Sequence, residues 1–207
     1  MKWVDNFVRP MRNTFLAIIL LPGSLYAQSI QRKHLVVGLN AGAGVLHLAS
    51  DRPDLSANGE CGAVRFTFAF ALSDRWSIGG HYDRVGTAHH PGLDRLHMTT
   101  YTIEGTYRPW TGNRAGLECT MGLGSTAAAL FPPGSQLPMT ATGAVFMIGT
   151  RYLHLISHTL GWNIALDHAA TSSNELVLEG GVVEAPNGKA HVQWNSQRVT
   201  AGLFVRF

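Results

Sequence analysis

The run Val64-Arg65-Phe66-Thr67-Phe68-Ala69-Phe70-Ala71-Leu72 decides how this chain folds. In an extended strand successive side chains point to opposite faces, so Val64, Phe66, Phe68, Phe70 and Leu72 share one face. Arg65, Thr67, Ala69 and Ala71 share the other. The last eleven residues, 197–207, repeat the pattern: Val199, Ala201, Leu203, Val205 and Phe207 lie opposite Arg198, Thr200, Gly202 and Arg206. Working outward from these two, alternation recurs in blocks over 34–48, 76–85, 97–108, 115–129, 140–152 and 161–169, separated by Gly, Pro, Asn, Asp and Ser. No long helical stripe interrupts them, so the period-two pattern predicts eight strands.

Two closed sheets accommodate an eight-strand meander, and they differ in where the bulky apolar face points. In a lipocalin-like barrel it fills the inside; in a membrane barrel it meets lipid around a small polar lumen. The opposite face decides between them. It carries Gly, Ala, Thr and Ser together with Arg65, Asp83, Glu104, Arg108, Glu118, Asp167 and Arg198. A face turned to water would hold many Lys and Glu, yet after position 27 the only lysines are Lys33 and Lys189. The sequence therefore predicts an all-β, eight-stranded antiparallel up-and-down transmembrane β-barrel.

Two further patterns agree. Trp76, Tyr107, Trp110, Tyr152 and Trp162 fall at strand ends beside the short connections, where half-buried rings would form an interfacial girdle. Tyr82 and Tyr101 sit towards the opposite ends. Connections alternate between a shorter set (73–75, 109–114, 153–160) and a longer set (49–60, 86–96, 131–138, 170–195), as periplasmic turns and external loops do. Unpaired backbone groups in hydrocarbon cost several kcal/mol each, so the last strand must pair with the first.

Outside the strands, residues 1–27 read as a secretory leader: a basic start, the apolar run 14–21, a Pro22-Gly23 break and the small residue Ala27 before Gln28. The apolar run is well short of the about 18–20 residues a spanning helix needs, which argues against a membrane anchor. The expected organisation is thus a leader, 1–27, and one barrel domain, 28–207. Of the 16 Lys+Arg and 13 Asp+Glu in the chain, the leader holds three basic residues and Asp5, leaving 13 and 12. With near-neutral charge and scattered basic residues, nucleic-acid binding is not expected.

The leader, the amphipathic strands and the terminal Val199-Thr-Ala-Gly-Leu-Phe-Val-Arg-Phe207 together resemble the small eight-stranded outer-membrane proteins of the OmpX and OmpA transmembrane-domain type. The resemblance implies insertion into a Gram-negative outer membrane as a monomer, with outer-membrane lipid and the barrel-assembly machinery as partners. It implies that Val199, Ala201, Leu203, Val205 and Phe207 form the assembly signal. It implies no chemistry, since such barrels include adhesins, structural proteins, narrow pores and a few lipid-modifying enzymes. No loop partner is specified.

Candidate sites follow from counting. If 73–75 closes a hairpin with Leu72 opposite Trp76, then Phe70 faces Ile78, Phe66 faces Tyr82, and Arg65 faces Asp83 inside the lumen. Glu104, Arg108 and Glu118 converge around the next turn by the same counting. These charges could form a polar pathway for a small solute. A charge-paired plug is the preferred reading, because eight strands leave an interior just wide enough for side chains. His89-His90 and the pair His154 and His158 have no clear third ligand, so no metal or cofactor is expected. His168-Ala-Ala-Thr-Ser-Ser-Asn174, with Glu175 after it, is loosely similar to the motif of lipid A deacylase barrels. Ala170 stands where that family has its serine, so no catalytic residue is assigned and a serine-rich loop is expected. Cys61 and Cys119 are too far apart in the pattern to pair. Pro186-Asn-Gly188 signals a hairpin that projects past the membrane, either docking a partner by its edge or capping the pore. The expected function is a non-enzymatic structural or surface-interaction barrel, with a lipid-modifying enzyme or a secreted apolar-ligand binder as alternatives.

Overall fold

The structure, a computed structural model, describes residues 35–87, 93–172, 174–178 and 181–207; the leader 1–27 and the pair His89-His90 lie outside the described residues. Eight long strands make up the protein: β1 Leu35–Ser50, β2 Ala57–Ala71, β3 Trp76–Thr87, β4 Arg95–Thr111, β5 Ala115–Phe131, β6 Met139–Leu155, β7 Leu160–Thr171 and β8 His191–Arg206. Each pairs antiparallel with its neighbours in the chain. The first and last strands also pair, from Val36↔Arg206 to Ser50↔Val192. The ring is closed and no wall strand keeps an edge, which is the condition for a sheet to sit in hydrocarbon.

At one end lie three short turns, and two of them are built alike. At 72–75 the Ser73 hydroxyl accepts from the amides of Arg75 and Trp76, and at 156–159 the Ser157 hydroxyl accepts from Thr159 and Leu160. A serine hydroxyl can satisfy amides that the ladder releases, which is why Ser begins each reversal. The middle turn closes through Gly112 N–H to the Ala115 carbonyl at 2.7 Å. Just before it β4 slips register between Tyr107 and Trp110, at Pro109, which has no N–H to give to a ladder. We call this the turn end; the opposite, loop end carries the longer connections.

The wall is two-sided over its turn-end and middle parts. Phe66, Phe68, Phe70 and Leu203 are 45%, 43%, 49% and 55% exposed, whereas Arg65 and Glu104 are 0% and 1% exposed. Large apolar side chains point away from the axis and charges point in, so the lipocalin-like alternative does not describe this barrel. The outward apolar stretch from Val64 to Leu72 is nine residues long, close to the roughly 9–11 that a tilted strand needs to span a bilayer.

At the loop end the pattern inverts, which corrects the expectation of a uniformly small and polar lumen. Leu46, Leu48, Val85, Leu96, Met98, Leu130, Met139, Val192 and Trp194 pack inside as one apolar cluster. Asn58, Glu60, Arg84, Thr140, Gln193 and Asn195 face outward there. Strands of 15 to 17 residues outrun the apolar band, and a wall standing in water must bury its apolar side inward. For the same reason β2 begins at Ala57 rather than Val64, so the first long connection shrinks to 51–56.

The connection after β7 caps this cluster. Glu184–Ala185 pairs with Gly188–Lys189 around Pro186-Asn187, with Gly188 at φ +125°, so the expected hairpin is present. Its flanks do not form one projecting ribbon. Val177–Leu178 pairs back on Gly181–Val182, Asn174–Glu175 pairs with β8, and Leu176 and Ala190 are wholly buried against the barrel cluster. Leu55, from the 3-10 turn Pro53–Leu55, and Leu93 join the same cluster.

Candidate functional site

Period-two folding stacks the inward charges of neighbouring strands into one belt at mid-height. The register sets Arg65 directly opposite Asp83, and the guanidinium grips that carboxylate twice, Nε to Oδ1 at 2.6 Å and Nη2 to Oδ2 at 3.1 Å. Its third arm, Nη1, reaches across the lumen to Asp167 Oδ2 at 2.7 Å. Arg198 Nη1 adds a contact to Asp83 at 3.1 Å, and the Met147 sulfur accepts from both arginines at 3.6 and 3.8 Å. From Asp83 the chain of contacts continues through His81 Nε2 at 3.3 Å, and His81 Nδ1 lies 3.3 Å from Glu104. The Thr102 hydroxyl bonds the same imidazole. Glu104 meets Arg151 Nη2 at 3.5 Å, Arg151 Nη1 meets Glu118 at 3.5 Å, and Arg108 Nη2 meets Glu118 at 2.9 Å.

All seven charges expected in the lumen are buried and lie in this belt. Two members were not foreseen. Arg151 sits opposite Glu118 in the β5–β6 register and bridges it to Glu104. His81 lies on the inward face two residues before Asp83. Parity alone would have found both, since His81 shares its face with Asp83 and Arg151 lies on the face opposite that of Tyr152, already assigned to the outer girdle. Four guanidinium groups (Arg65, Arg108, Arg151, Arg198) meet four carboxylates (Asp83, Asp167, Glu104, Glu118). Charge balance is what makes their burial tolerable, because an isolated ion would cost far more than the belt's pairing returns.

Arm length fixes which small residues stand beside these charges. A Cβ at Gly149 would lie 2.3 Å from Asp167 Oδ1, so only glycine leaves the carboxylate its place opposite Arg65. Nearer the turn end, Asn163 donates to Asn40 at 3.1 Å, and Phe204 packs inward on Leu155.

The aromatic residues pair across strands on the outer surface. Trp76 lies against Tyr107 at 4.7 Å between ring centroids, Tyr152 against Trp162 at 5.6 Å, and Tyr82 against Tyr101 at 5.2 Å. Trp110 is exposed beside the middle turn. Of the terminal-strand residues, Val199, Ala201, Leu203 and Val205 all face outward on β8, and Phe207 follows it with its amide on the Leu35 carbonyl.

The deacylase-like residues do not assemble. His168 lies on the outer wall between Ile148 and Gln197. Ser172 is four residues further along, roughly 13 Å in extended chain, and its hydroxyl donates to Asn174 instead. Ser173 lies outside the described residues. His154 packs on Trp162 and His158 supplies a carbonyl to Arg206, so the two histidines serve the third turn. Cys61 is buried in the loop-end cluster and Cys119 is exposed on the outer wall; both are free thiols.

With this geometry in view, the chain is similar in shape to Neisserial surface protein A, NspA, at 13% identity, covering 84% of this chain and 97% of that one with a TM-score of 0.61. It is also similar to the outer membrane protein OprG from Pseudomonas aeruginosa, at 13% identity, 85% and 97% coverage and a TM-score of 0.55. At such identity the likeness is one of fold: the chain has the architecture of the small eight-stranded outer-membrane barrels. No family model and no curated protein matches the chain.

Proposed function

We propose that the protein is a monomeric barrel of a Gram-negative outer membrane, delivered there by a cleaved leader and inserted by the barrel-assembly machinery through its terminal strand. It performs no catalysis, and it presents its capped loop end to the surroundings as a structural or surface-interaction module. The observation that carries this reading is the two-sided wall, with Phe66, Phe68, Phe70, Ile103, Leu123 and Leu203 turned to lipid and the charge belt held inside. The belt supports a shut lumen, since its ions are already paired with each other and leave no file of solvated charge for a solute to follow.

Fractionation tests the location: the reading expects a sarkosyl-insoluble protein whose gel mobility shifts on boiling, and a detergent-free, water-soluble monomer contradicts it. Planar-bilayer recordings test the plug, because steady open-channel conductance is incompatible with it. Lipid A of unchanged mass on expression supports the absence of catalysis; a mass change lost in His168→Ala opposes it.

A further inference from the structure

The geometry points to an oxyanion site in the vestibule at the turn end of the lumen, shaped for one phosphate or carboxylate group. Below the charge belt the lumen opens into a cavity of about 40 Å³, with room for about three waters or for one oxyanion in their place. Among the described residues four arginines line it, Arg108, Arg114, Arg151 and Arg206, with a single acidic residue, Glu118. Two further acids act on these arginines: Asp74 of the first turn on Arg108, and Glu104 of the belt on Arg151. Arg108, Arg151, Glu104 and Glu118 are shared with the balanced belt, so the excess positive charge among the described residues is that of Arg114 and Arg206 over Asp74.

The donors in this vestibule are left over. Arg108 is only 3% exposed, yet among the described residues its Nε and Nη1 have no hydrogen-bond partner; one arm alone, Nη2, is used, on Glu118. Arg206 likewise has Nε and Nη1 unpartnered, with Nη2 on the His158 carbonyl at 3.3 Å, and Arg151 Nε is also without an acceptor. Buried donors are almost always paired in folded proteins, so idle guanidinium N–H groups on three arginines that line one cavity mark the place of a missing acceptor. A planar fork of N–H groups matches the oxygen spacing of phosphate and carboxylate, and Gly116, whose Cβ would come within 3.6 Å of Arg108 Cδ, keeps the space beside the fork open. The belt lies directly behind, which makes the vestibule a binding pocket and not a passage. This inference goes beyond the proposed function and does not depend on where the barrel resides.

The test uses the full barrel, refolded in zwitterionic detergent, with inorganic phosphate as the probe and backbone amide shifts as the readout. Expected are saturable shifts confined to residues around Gly116, Leu153 and Phe204, with a midpoint raised about tenfold in Arg206→Gln, as losing one charge-assisted hydrogen bond implies. Arg206 is only half buried, so this variant folds even where Arg108→Gln does not, and Arg52→Gln at the loop end leaves the midpoint unchanged. A parallel arm places the barrel in nanodiscs held in buffer free of inorganic phosphate. The same shifts with phosphatidylglycerol but not with phosphatidylcholine identify a lipid headgroup as the source of the oxyanion, and shifts with inorganic phosphate identify a free one. Shifts that fail to saturate, that spread equally to the loop end, or that persist unchanged in Arg206→Gln overturn the site, as does silence in both arms.

Discussion

The two halves of this barrel obey the same backbone rule and opposite solvent rules. At mid-height Tyr101 and Ile103 face out while Thr102 and Glu104 face in; a few residues up the same strand, Leu96 and Met98 face in while His97 and Thr99 face out. Parity along β4 never changes, yet the polar side moves from the inside to the outside. The lesson is that period-two alternation encodes a surface with two environments, and that which environment lies outside must be read separately at each height. Where lipid surrounds the wall, the lumen holds charge; where water surrounds it, the lumen holds leucine.

The comparison can be broken from the inside first. Arg65→Met leaves Asp83 and Asp167 buried without their main counter-ion, and removing one member of such a network costs about 3–5 kcal/mol. The expected result in a urea titration of the folded barrel is a large loss of stability, partly recovered when Asp167 is also made leucine, since Asp83 keeps Arg198 as its counter-ion. An Arg65→Met protein as stable as its parent would mean that the belt contributes nothing to holding the barrel together. A second break acts on the other half: Leu96→Ala opens a cavity in the loop-end cluster and costs about 2–5 kcal/mol. Because that cluster is covered by the connection after β7, limited proteolysis should cut within 172–190 sooner while the band around Phe68 stays protected.

Much of this was legible beforehand, and the reasons differ by region. The Arg65 to Asp83 pairing follows from the first turn, because Ser73 fixes a tight reversal and register then has no freedom. The loop-end core escaped notice because Leu46, Leu48, Leu96 and Met98 continue an alternation already interpreted, and only their outward partners, such as Arg95, His97 and Thr99, betray that the environment has switched. Arg151 escaped because it lies near the end of β6 and its partners Glu104 and Glu118 come from strands whose counting was anchored on a different turn. The connection after β7 was legible as a hairpin that docks a partner or caps the pore, but not the burial of Leu176 and Ala190 that makes it a cap, since nothing local in a long connection says which way it folds.

Two smaller effects sharpen the boundary between the halves. Phe68→Arg places a charge on the outer wall in the middle of the apolar band, with an expected cost of about 2–4 kcal/mol in lipid. Gln193→Arg, also outward but at the loop end, should lie near zero by the same equilibrium folding assay in vesicles. Equal costs at the two positions would remove the distinction between lipid-facing and water-facing wall. The smallest effect belongs to the exposed Lys189 to Glu175 pair at 2.9 Å: Lys189→Ala should change stability by at most about 1 kcal/mol and lose even that in high salt.

The most direct measurement is an accessibility scan along β4 in vesicles, with single nitroxide labels at positions 96 to 105 in a background lacking Cys61 and Cys119. Oxygen, which partitions into lipid, and a water-soluble nickel chelate serve as the two relaxants. The account predicts that labels at 97 and 99 respond to the chelate, that labels at 101, 103 and 105 respond to oxygen, and that even-numbered positions are shielded from both. Strong oxygen access at 98, 102 or 104, with 101 and 103 shielded, would contradict it.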